Sequence, residues 1–115
     1  DRVKESIEEL GEKFIKRVFT DKEIEYCESR KGQKYQHYAG RFAAKEAAFK
    51  AISKILDNKY SVCWKDFEII DDEQGRPYLN LYNVNTKDIE SIDISISHCK
   101  LYATANVVIL FNDYN

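Results

Sequence analysis

The spacing of apolar residues changes its period once along this chain of 115 residues, close to Asp57-Asn58. Before that point apolar side chains recur at helical spacing, and after it they alternate with polar ones as they do in strands. Helices followed by antiparallel strands indicate an α+β fold, with helices packed on an antiparallel sheet. Because a chain of this length has room for one modest core, we expect a single domain over residues 1–115.

Helices are expected throughout the first half of the chain. Residues 2–18 form an amphipathic pattern that Gly11 loosens, and Asp1 could cap it. A capping box at Thr20-Asp21-Lys22-Glu23, in which hydroxyl and carboxylate each satisfy a backbone N–H, predicts that a second helix begins there. An alanine-rich stretch then predicts a central helix from Tyr35 to about Leu56.

Strands are expected in the second half. Residues 66–70 and 78–82 alternate on either side of a turn at residues 71–77, which predicts a hairpin or strand pair. A further pair is predicted at residues 92–97 and 102–111, joined by a tight connection at Cys99-Lys100.

Composition excludes several classes of protein. A formal net charge of −2 is unlike that of a generic nucleic-acid binder. No apolar run approaches the roughly 18 residues of a membrane span. Three cysteines without a C-x-x-C pair fit a reducing compartment, so we expect a cytoplasmic protein. Walker loops, zinc-ligand spacings and nucleophile elbows are also missing from the sequence.

The central helix carries a cation on its apolar face. Lys45 falls in a sector of roughly 80° that also holds Phe42 and Phe49. A lysine in such a place either extends its ammonium past the aromatic rings to water or binds a phosphate. The pattern leaves both interpretations open.

Glu46 and Lys50 are four residues apart on the edge of that face, with Arg41 nearby. They could form an exposed salt bridge. One carboxylate among cations is also what a magnesium-diphosphate site requires, because the carboxylate holds the metal while cations neutralise phosphate oxygens that the metal does not reach.

His98 and the cations of the first helix can each be explained by structure alone or by a function. His98 ends the inward-facing phase of a strand, so it is either a hydrogen-bonded core residue or a side chain available to a ligand at the sheet end. Cations on the first helix alternate with glutamates, which is typical of a solvated face. They are Arg2, Lys13, Lys16 and Arg17.

Four segments together resemble the holo-[acyl-carrier-protein] synthase family of short, single-domain 4′-phosphopantetheinyl transferases. In chain order they are RVFTDKE at 17–23, AGRFAAKEA at 39–47, DEQGRPY at 72–78 and SISHCKLYATA at 95–105. Each motif alone is weakly specific. Their shared order and spacing, and the joined AGRFAAKE and SISHCKLYA patterns, are specific for the family and cover almost the whole chain.

The resemblance implies an enzyme that transfers 4′-phosphopantetheine from coenzyme A to a serine of acyl carrier protein, converting the apo to the holo form for fatty acid biosynthesis. It implies that Glu46 is a Mg²⁺ ligand and that Lys50 faces the pyrophosphate and assists the leaving group. The residues implied in coenzyme A binding are Arg41, Lys45, Lys50 and His98. Those implied in carrier-protein binding are Arg2, Lys13 and Arg17.

The family also sets expectations for assembly and chemistry. Its members are typically trimers with coenzyme A at subunit interfaces, so a homotrimer is expected, with no nucleic-acid or membrane partner. The carrier serine would attack the β-phosphate and 3′,5′-ADP would leave, with positioning and charge neutralisation supplying most of the catalysis. Either a metal-bound water or a carboxylate would take the serine proton, and the sequence leaves this choice open.

The chain departs from the family pattern in two places. It starts at Asp1 and contains no methionine, so we expect that it lacks the family's N-terminal strand and the magnesium-binding aspartate in that strand. After Lys50 the family has a glycine-rich turn, whereas residues 51–58 contain no glycine. These departures motivate an alternative, a non-catalytic module that binds coenzyme A or carrier protein. A third interpretation is an α+β interaction domain with no affinity for coenzyme A.

Overall fold

The structure is a computed structural model that describes residues 2–53, 56, 62–99 and 102–112. Helices precede antiparallel strands, which confirms the predicted α+β class. The elements are α1 (Arg2–Leu10), α2 (Glu12–Val18), α3 (Asp21–Ser29), α4 (Lys34–Ile52), β1 (Phe67–Asp71), β2 (Pro77–Leu81), β3 (Ile89–His98) and β4 (Ala103–Phe111). None of the helices in the described ranges combines the length and apolarity that crossing a bilayer requires.

The first predicted helix is divided at Gly11. Its φ of 61° lies in the left-handed region, where glycine has no steric penalty, and its N–H still donates to the Ile7 carbonyl at 2.8 Å. The chain therefore ends α1 with a glycine and starts α2 in a new direction.

The capping box at the start of α3 is confirmed. The Thr20 N–H donates to Glu23 Oε1 at 2.9 Å, and the Glu23 N–H donates to Thr20 Oγ1 at 3.3 Å. The Glu23 side chain is fully buried and extends beyond this cap, because its second oxygen accepts the N–H of Ile69 at 2.8 Å.

The central helix α4 ends at Ile52, so the prediction that it continues to about Leu56 is wrong. The Ser53 hydroxyl donates to the Lys50 carbonyl at 2.9 Å, and the Leu56 N–H donates to the Ser53 carbonyl at 3.4 Å in a tighter turn. Serine competes in this way for backbone groups at helix ends. Most of the glycine-free segment after Lys50 lies outside the described residues.

Among the described residues the strands form two antiparallel pairs, β1 with β2 and β3 with β4, and no ladder joins the pairs into one continuous sheet. Helix α4 packs against β1, β3 and β4 as well as α1 and α3. One apolar cluster surrounds Phe19 and Tyr38 near the start of α4, and another surrounds Ile52 and Phe67 near its end. The core thus extends along α4, which contacts two of the other helices and strands from both antiparallel pairs.

Candidate anion-binding site

Three of the four sequence motifs meet at one small pocket of ≈ 140 Å³. The AGRFAAKEA segment contributes an arginine, the DEQGRPY turn a glycine and a proline, and the SISH segment an isoleucine and a histidine. The lining residues are Tyr26, His37, Arg41, Asp71, Gly75, Pro77, Ile96 and His98. Segments that lie far apart in the chain therefore form a common surface.

Close packing between α4 and β3 positions two sides of this pocket. A Cβ atom on Gly40 would lie 3.0 Å from Ile96 Cγ2 and 3.4 Å from His98 Cδ2. Only a residue without a side chain allows the two elements to approach so closely. The approach places Arg41, the next residue of α4, and His98, the last residue of β3, beside the same space.

Arg41 is the most unusual charge in the pocket. Its side chain is buried, with 4% of the residue exposed, and its guanidinium carbon lies 3.9 Å from the centroid of the Tyr26 ring. Nη2 lies 3.4 Å from Asp71 Oδ1, yet Nε and Nη2 have no hydrogen-bond partner among the described residues. A buried donor without an acceptor is costly. An anion in the pocket would supply the missing acceptors.

His98 lies beside Arg41, partly buried, and its Nδ1 is 3.3 Å from Gln36 Oε1. The ring of His37 makes edge contacts with both neighbouring aromatic rings, at centroid distances of 4.7 Å to His98 and 5.3 Å to Tyr26. Burial, followed by the charges of His98, Arg41 and Arg30, lowers the pKa of His37 to about 4. His37 is therefore a neutral imidazole at neutral pH.

His37 is not among the site residues that the sequence predicts. The signal was present, because His37 lies four residues before Arg41 and so falls on the same side of the predicted central helix. A histidine with one arginine four residues later is too common in helices to indicate a binding site by itself.

Lys45 does not line this pocket, and both interpretations of it require correction. Its side chain has no exposed surface, its Nζ lies 2.7 Å from Glu23 Oε1, and it donates to the carbonyls of Trp64 and Phe67. All three ammonium protons thus have protein acceptors. The lysine neither reaches water nor presents a donor to a phosphate, because its partner is a buried glutamate.

Glu46 and Lys50 lie on another side of α4. At roughly 100° per residue, Glu46 is rotated about 140° from Arg41, and Lys50 follows one turn after it. Glu46 is half-buried and Lys50 exposed, and no ion pair joins them in the described part of the chain. The simple salt-bridge interpretation is therefore wrong, and one chain does not bring this pair together with Arg41 and His98.

Two of the cations assigned to carrier-protein binding are exposed on α2. Lys13 and Arg17 are four residues apart on this helix, and neither forms an ion pair with another described residue. Their neighbour Lys16 is 3.9 Å from Glu12, in an exposed pair. Arg2 lies in α1, and its side chain is outside the described parts of the structure.

The α+β fold thus brings a buried, incompletely bonded arginine and two histidines into one pocket, a set of groups whose chemistry suits a phosphate-like anion. The comparisons specify this class further. A model of the 4′-phosphopantetheinyl transferase superfamily matches residues 1–109, and the chain belongs to that family.

The curated relatives agree over nearly the whole chain. The chain is 45% identical to the holo-[acyl-carrier-protein] synthase of Ruminiclostridium cellulolyticum, an alignment that covers 98% of the chain and 87% of the relative. It is 42% identical to the holo-[acyl-carrier-protein] synthase of Protochlamydia amoebophila, with 94% and 88% covered.

Solved structures show the same fold. The Helicobacter pylori holo-[acyl-carrier-protein] synthase in complex with coenzyme A matches with a TM-score of 0.79 at 28% identity, covering 95% of this chain and 91% of that one. The Bacillus anthracis synthase in complex with CoA (3′,5′-ADP) matches with a TM-score of 0.72 at 34% identity, covering 91% and 86%.

The resemblance inferred from the four motifs is therefore confirmed, and so is the enzyme class, a phosphopantetheinyl transferase. Transfer of 4′-phosphopantetheine to acyl carrier protein is the function that these matches support, and they do not favour the alternative of a non-catalytic module.

Proposed function

We propose that this chain carries out the transfer of 4′-phosphopantetheine from coenzyme A to a serine of acyl carrier protein with the Arg41 pocket as its phosphate-binding site. The observation that carries the proposal is the buried Arg41 guanidinium, whose Nε and Nη2 lack acceptors among the described residues. Arginine binds phosphate oxygens with paired N–H donors, and the energy of such bonds grows in a pocket sheltered from water.

His98 supports this assignment because it lies in the same pocket and is held by Gln36. Lys50 is exposed and has no carboxylate partner among the described residues, so it is available to a phosphate that approaches from outside the fold. Lys45 is not part of the proposed site, since its donors are all satisfied within the core.

Glu46 is the proposed Mg²⁺ ligand. The described residues contain no group of three or more histidine, cysteine, aspartate or glutamate side chains arranged for a metal. Mg²⁺ is often held by one or two carboxylates together with substrate phosphates, so a half-buried Glu46 without a cationic partner fits a site completed by coenzyme A. When bound, the ion would neutralise charge on the diphosphate.

The remaining chemistry follows from where the residues hold the substrate. The serine oxygen forms a bond to the β-phosphorus, the bond between that phosphorus and the bridging oxygen breaks, and 3′,5′-ADP leaves with the bonding electrons. In this proposal the exposed Lys50 stabilises the charge that grows on the leaving oxygen, and Arg41 and His98 fix the position of the nucleotide. In the same step the serine hydroxyl gives its proton to a water molecule or to a carboxylate at the site.

We further propose that the active site is shared between subunits of a homotrimer. Arg41 and Glu46 face different sides of α4, so two chains are needed to bring both faces to one coenzyme A molecule. The hairpin of β3 and β4 exposes large apolar side chains that an interface would cover. Tyr102 is 62% exposed, Val108 63% and Leu110 55%.

The proposed docking surface for the acidic carrier protein consists of the α2 cations Lys13 and Arg17, together with Arg2. A local basic patch can steer and orient an acidic partner even when the net charge of the protein is −2. The proposed setting is fatty acid biosynthesis in the cytoplasm.

The proposal is tested by the intact mass of an acyl carrier protein after incubation with the full-length protein, coenzyme A and Mg²⁺. We expect the carrier to gain the mass of one phosphopantetheine group, and Glu46→Ala to abolish the gain. Glu25→Ala, which removes an exposed glutamate from α3, is the matched control and should retain full activity. An unmodified carrier with the wild-type protein would overturn the proposal.

A further inference from the structure

The Arg41 pocket contains a second imidazole that the proposed reaction does not use. His37 is half-buried, lines the pocket, and touches the edge or face of the rings of His98 and Tyr26. Its ring nitrogens form no hydrogen bond with the described residues that would compete with a ligand. The pocket thus places two imidazoles and an arginine around ≈ 140 Å³ of open space.

Charged groups face His37 from every element around the pocket. The Tyr26 ring lies on α3, and Arg30 follows at the C-cap of that helix. The Tyr26 ring centroid lies 4.8 Å from the Arg30 guanidinium carbon and 3.9 Å from that of Arg41 on α4. His98 faces it from β3. Asp71 on β1 is the one carboxylate among these groups, and it is engaged with Arg41 at 3.4 Å.

This arrangement makes the protonation of His37 dependent on the occupant of the pocket. Without an anion, burial and the nearby cations oppose a proton on the ring. A phosphate group at Arg41 would bring negative charge within the same small space and offset those cations. The bound anion therefore raises the pKa of His37 and favours its protonated form.

We propose that His37 is a proton-accepting residue of the phosphate pocket, and that binding of coenzyme A at Arg41 is accompanied by uptake of a proton from solvent onto the His37 ring. The inference rests on the proposed function, since it assumes that a coenzyme A phosphate occupies this pocket. It assigns His37 a role in binding and in the pH dependence of the enzyme. No bond other than the new N–H bond forms.

The size of the effect follows from linkage. If the bound anion restores His37 to an ordinary midpoint near pH 6.5, affinity for coenzyme A gains about 4-fold from His37 between pH 8 and pH 6, and about half a proton is taken up at pH 6.5. Coenzyme A has its own titrating phosphate, which contributes equally to the wild-type protein and to a variant. The difference between the two isolates His37.

The experiment is titration calorimetry with coenzyme A at several pH values, in buffers of different ionisation enthalpy. His37→Phe keeps an aromatic ring against Tyr26 and His98, and His37→Gln keeps a polar side chain, but neither can accept a proton. We expect the coenzyme A affinity of both variants at pH 8 to lie within a few-fold of that of wild type. At pH 6.5 both should take up fewer protons on binding, and between pH 8 and pH 6 their affinity should rise less than that of wild type. Identical pH slopes in all three proteins would overturn the inference.

A second measurement needs no variant. The chain has two histidines, so the imidazole signals in an NMR titration are simple to follow. We expect the pKa of His37 to be about 4 in the free protein and to lie above 6 when coenzyme A is bound. An unchanged midpoint would refute the role of His37 while leaving the proposed function intact. Failure of the wild-type protein to bind coenzyme A at any pH would remove both.

Discussion

Lys45 Nζ lies 2.7 Å from Glu23 Oε1, and neither side chain has any exposed surface. The lysine also donates to the carbonyls of Trp64 and Phe67, and the glutamate accepts the N–H groups of Thr20 and Ile69. Burial raises the pKa of Glu23 and lowers that of Lys45, while their mutual attraction opposes both shifts. The pair joins α3, α4 and the start of β1.

Removing one member of this pair should be far more damaging than removing both. Lys45→Met leaves a buried carboxylate without its cation, and we expect the free energy of unfolding to fall by about 3–5 kcal/mol in urea denaturation. The double variant Lys45→Met/Glu23→Gln should lose clearly less stability than Lys45→Met alone, because no unpaired buried charge remains and the amide oxygen still accepts a backbone N–H.

Lys16→Met is the control for this cycle. It removes a lysine from an exposed pair, at 3.9 Å from Glu12, whose loss should change the unfolding free energy by less than about 1 kcal/mol. Equal effects of the two lysine substitutions would contradict a structural role for the buried pair.

This pair also shows what the sequence could and could not predict. The capping box identified Glu23, and helical spacing placed Lys45 on the apolar face of the central helix. Both features are local, so the sequence reveals them. That the two side chains meet depends on how α3 packs across α4, and no short-range pattern encodes this. Lys45 was consequently assigned to water or phosphate instead of to a buried glutamate.

The same distinction applies to the pocket. Arg41 and His98 were predicted from their motifs, and the structure places them together. His37 was missed because its surroundings come from β3 and α3 rather than from its own helix. The end of α4 was misplaced because the Ser53 hydroxyl bonds the Lys50 carbonyl, a preference that the alanine-rich pattern before it obscured.

Gly40 should tolerate no side chain. In Gly40→Ala the new Cβ would lie 3.0 Å from Ile96 Cγ2, so the Ile96 side chain or β3 must shift away from α4, and we expect a loss of about 1–3 kcal/mol in unfolding free energy. Because His98 is carried by β3, calorimetry should also show weaker coenzyme A binding. Gly32→Ala is the matched control, since a Cβ there meets nothing within 4 Å. Equal stability of the two variants would argue against close packing at Gly40.

Arg41 should matter more for binding than for folding. Arg41→Lys keeps a positive charge but loses the planar set of donors, and we expect coenzyme A affinity to fall about 10-fold or more in calorimetry. Arg41→Met should bind still more weakly. The unfolding free energy of Arg41→Met should stay within about 1 kcal/mol of that of wild type or rise, because the substitution removes buried N–H donors that have no acceptor. Severe unfolding of Arg41→Met would instead indicate a structural arginine.

The free protein should lose stability in mild acid through His37. Its pKa in the folded state is about 4, whereas an unfolded chain has the ordinary value near 6.5. Between these values the unfolded state binds more protons, so the free energy of unfolding falls as pH falls from about 6.5 toward 4. Because His37 is partly exposed, we expect the free energy of unfolding to be lower by about 1 kcal/mol at pH 5 than at pH 7, as measured by urea unfolding. His37→Phe should show a smaller loss over this interval, and an equal loss would contradict the assignment.

Charge reversal on α2 should separate carrier docking from catalysis. Lys13 and Arg17 are exposed, remote in sequence from the proposed phosphate ligands, and free of ion pairs with other described residues. In the double variant Lys13→Glu/Arg17→Glu we expect KM for acyl carrier protein to rise about 10-fold or more at low salt, with kcat and coenzyme A affinity nearly unchanged. Rising ionic strength should reduce the difference in KM between the double variant and wild type, since salt screens exposed charges.

Lys87→Glu is the control for this prediction. It reverses one exposed charge in the loop between β2 and β3 and should leave KM close to its wild-type value. A comparable rise in KM from Lys87→Glu would mean that the carrier protein responds to overall charge and not to the α2 surface.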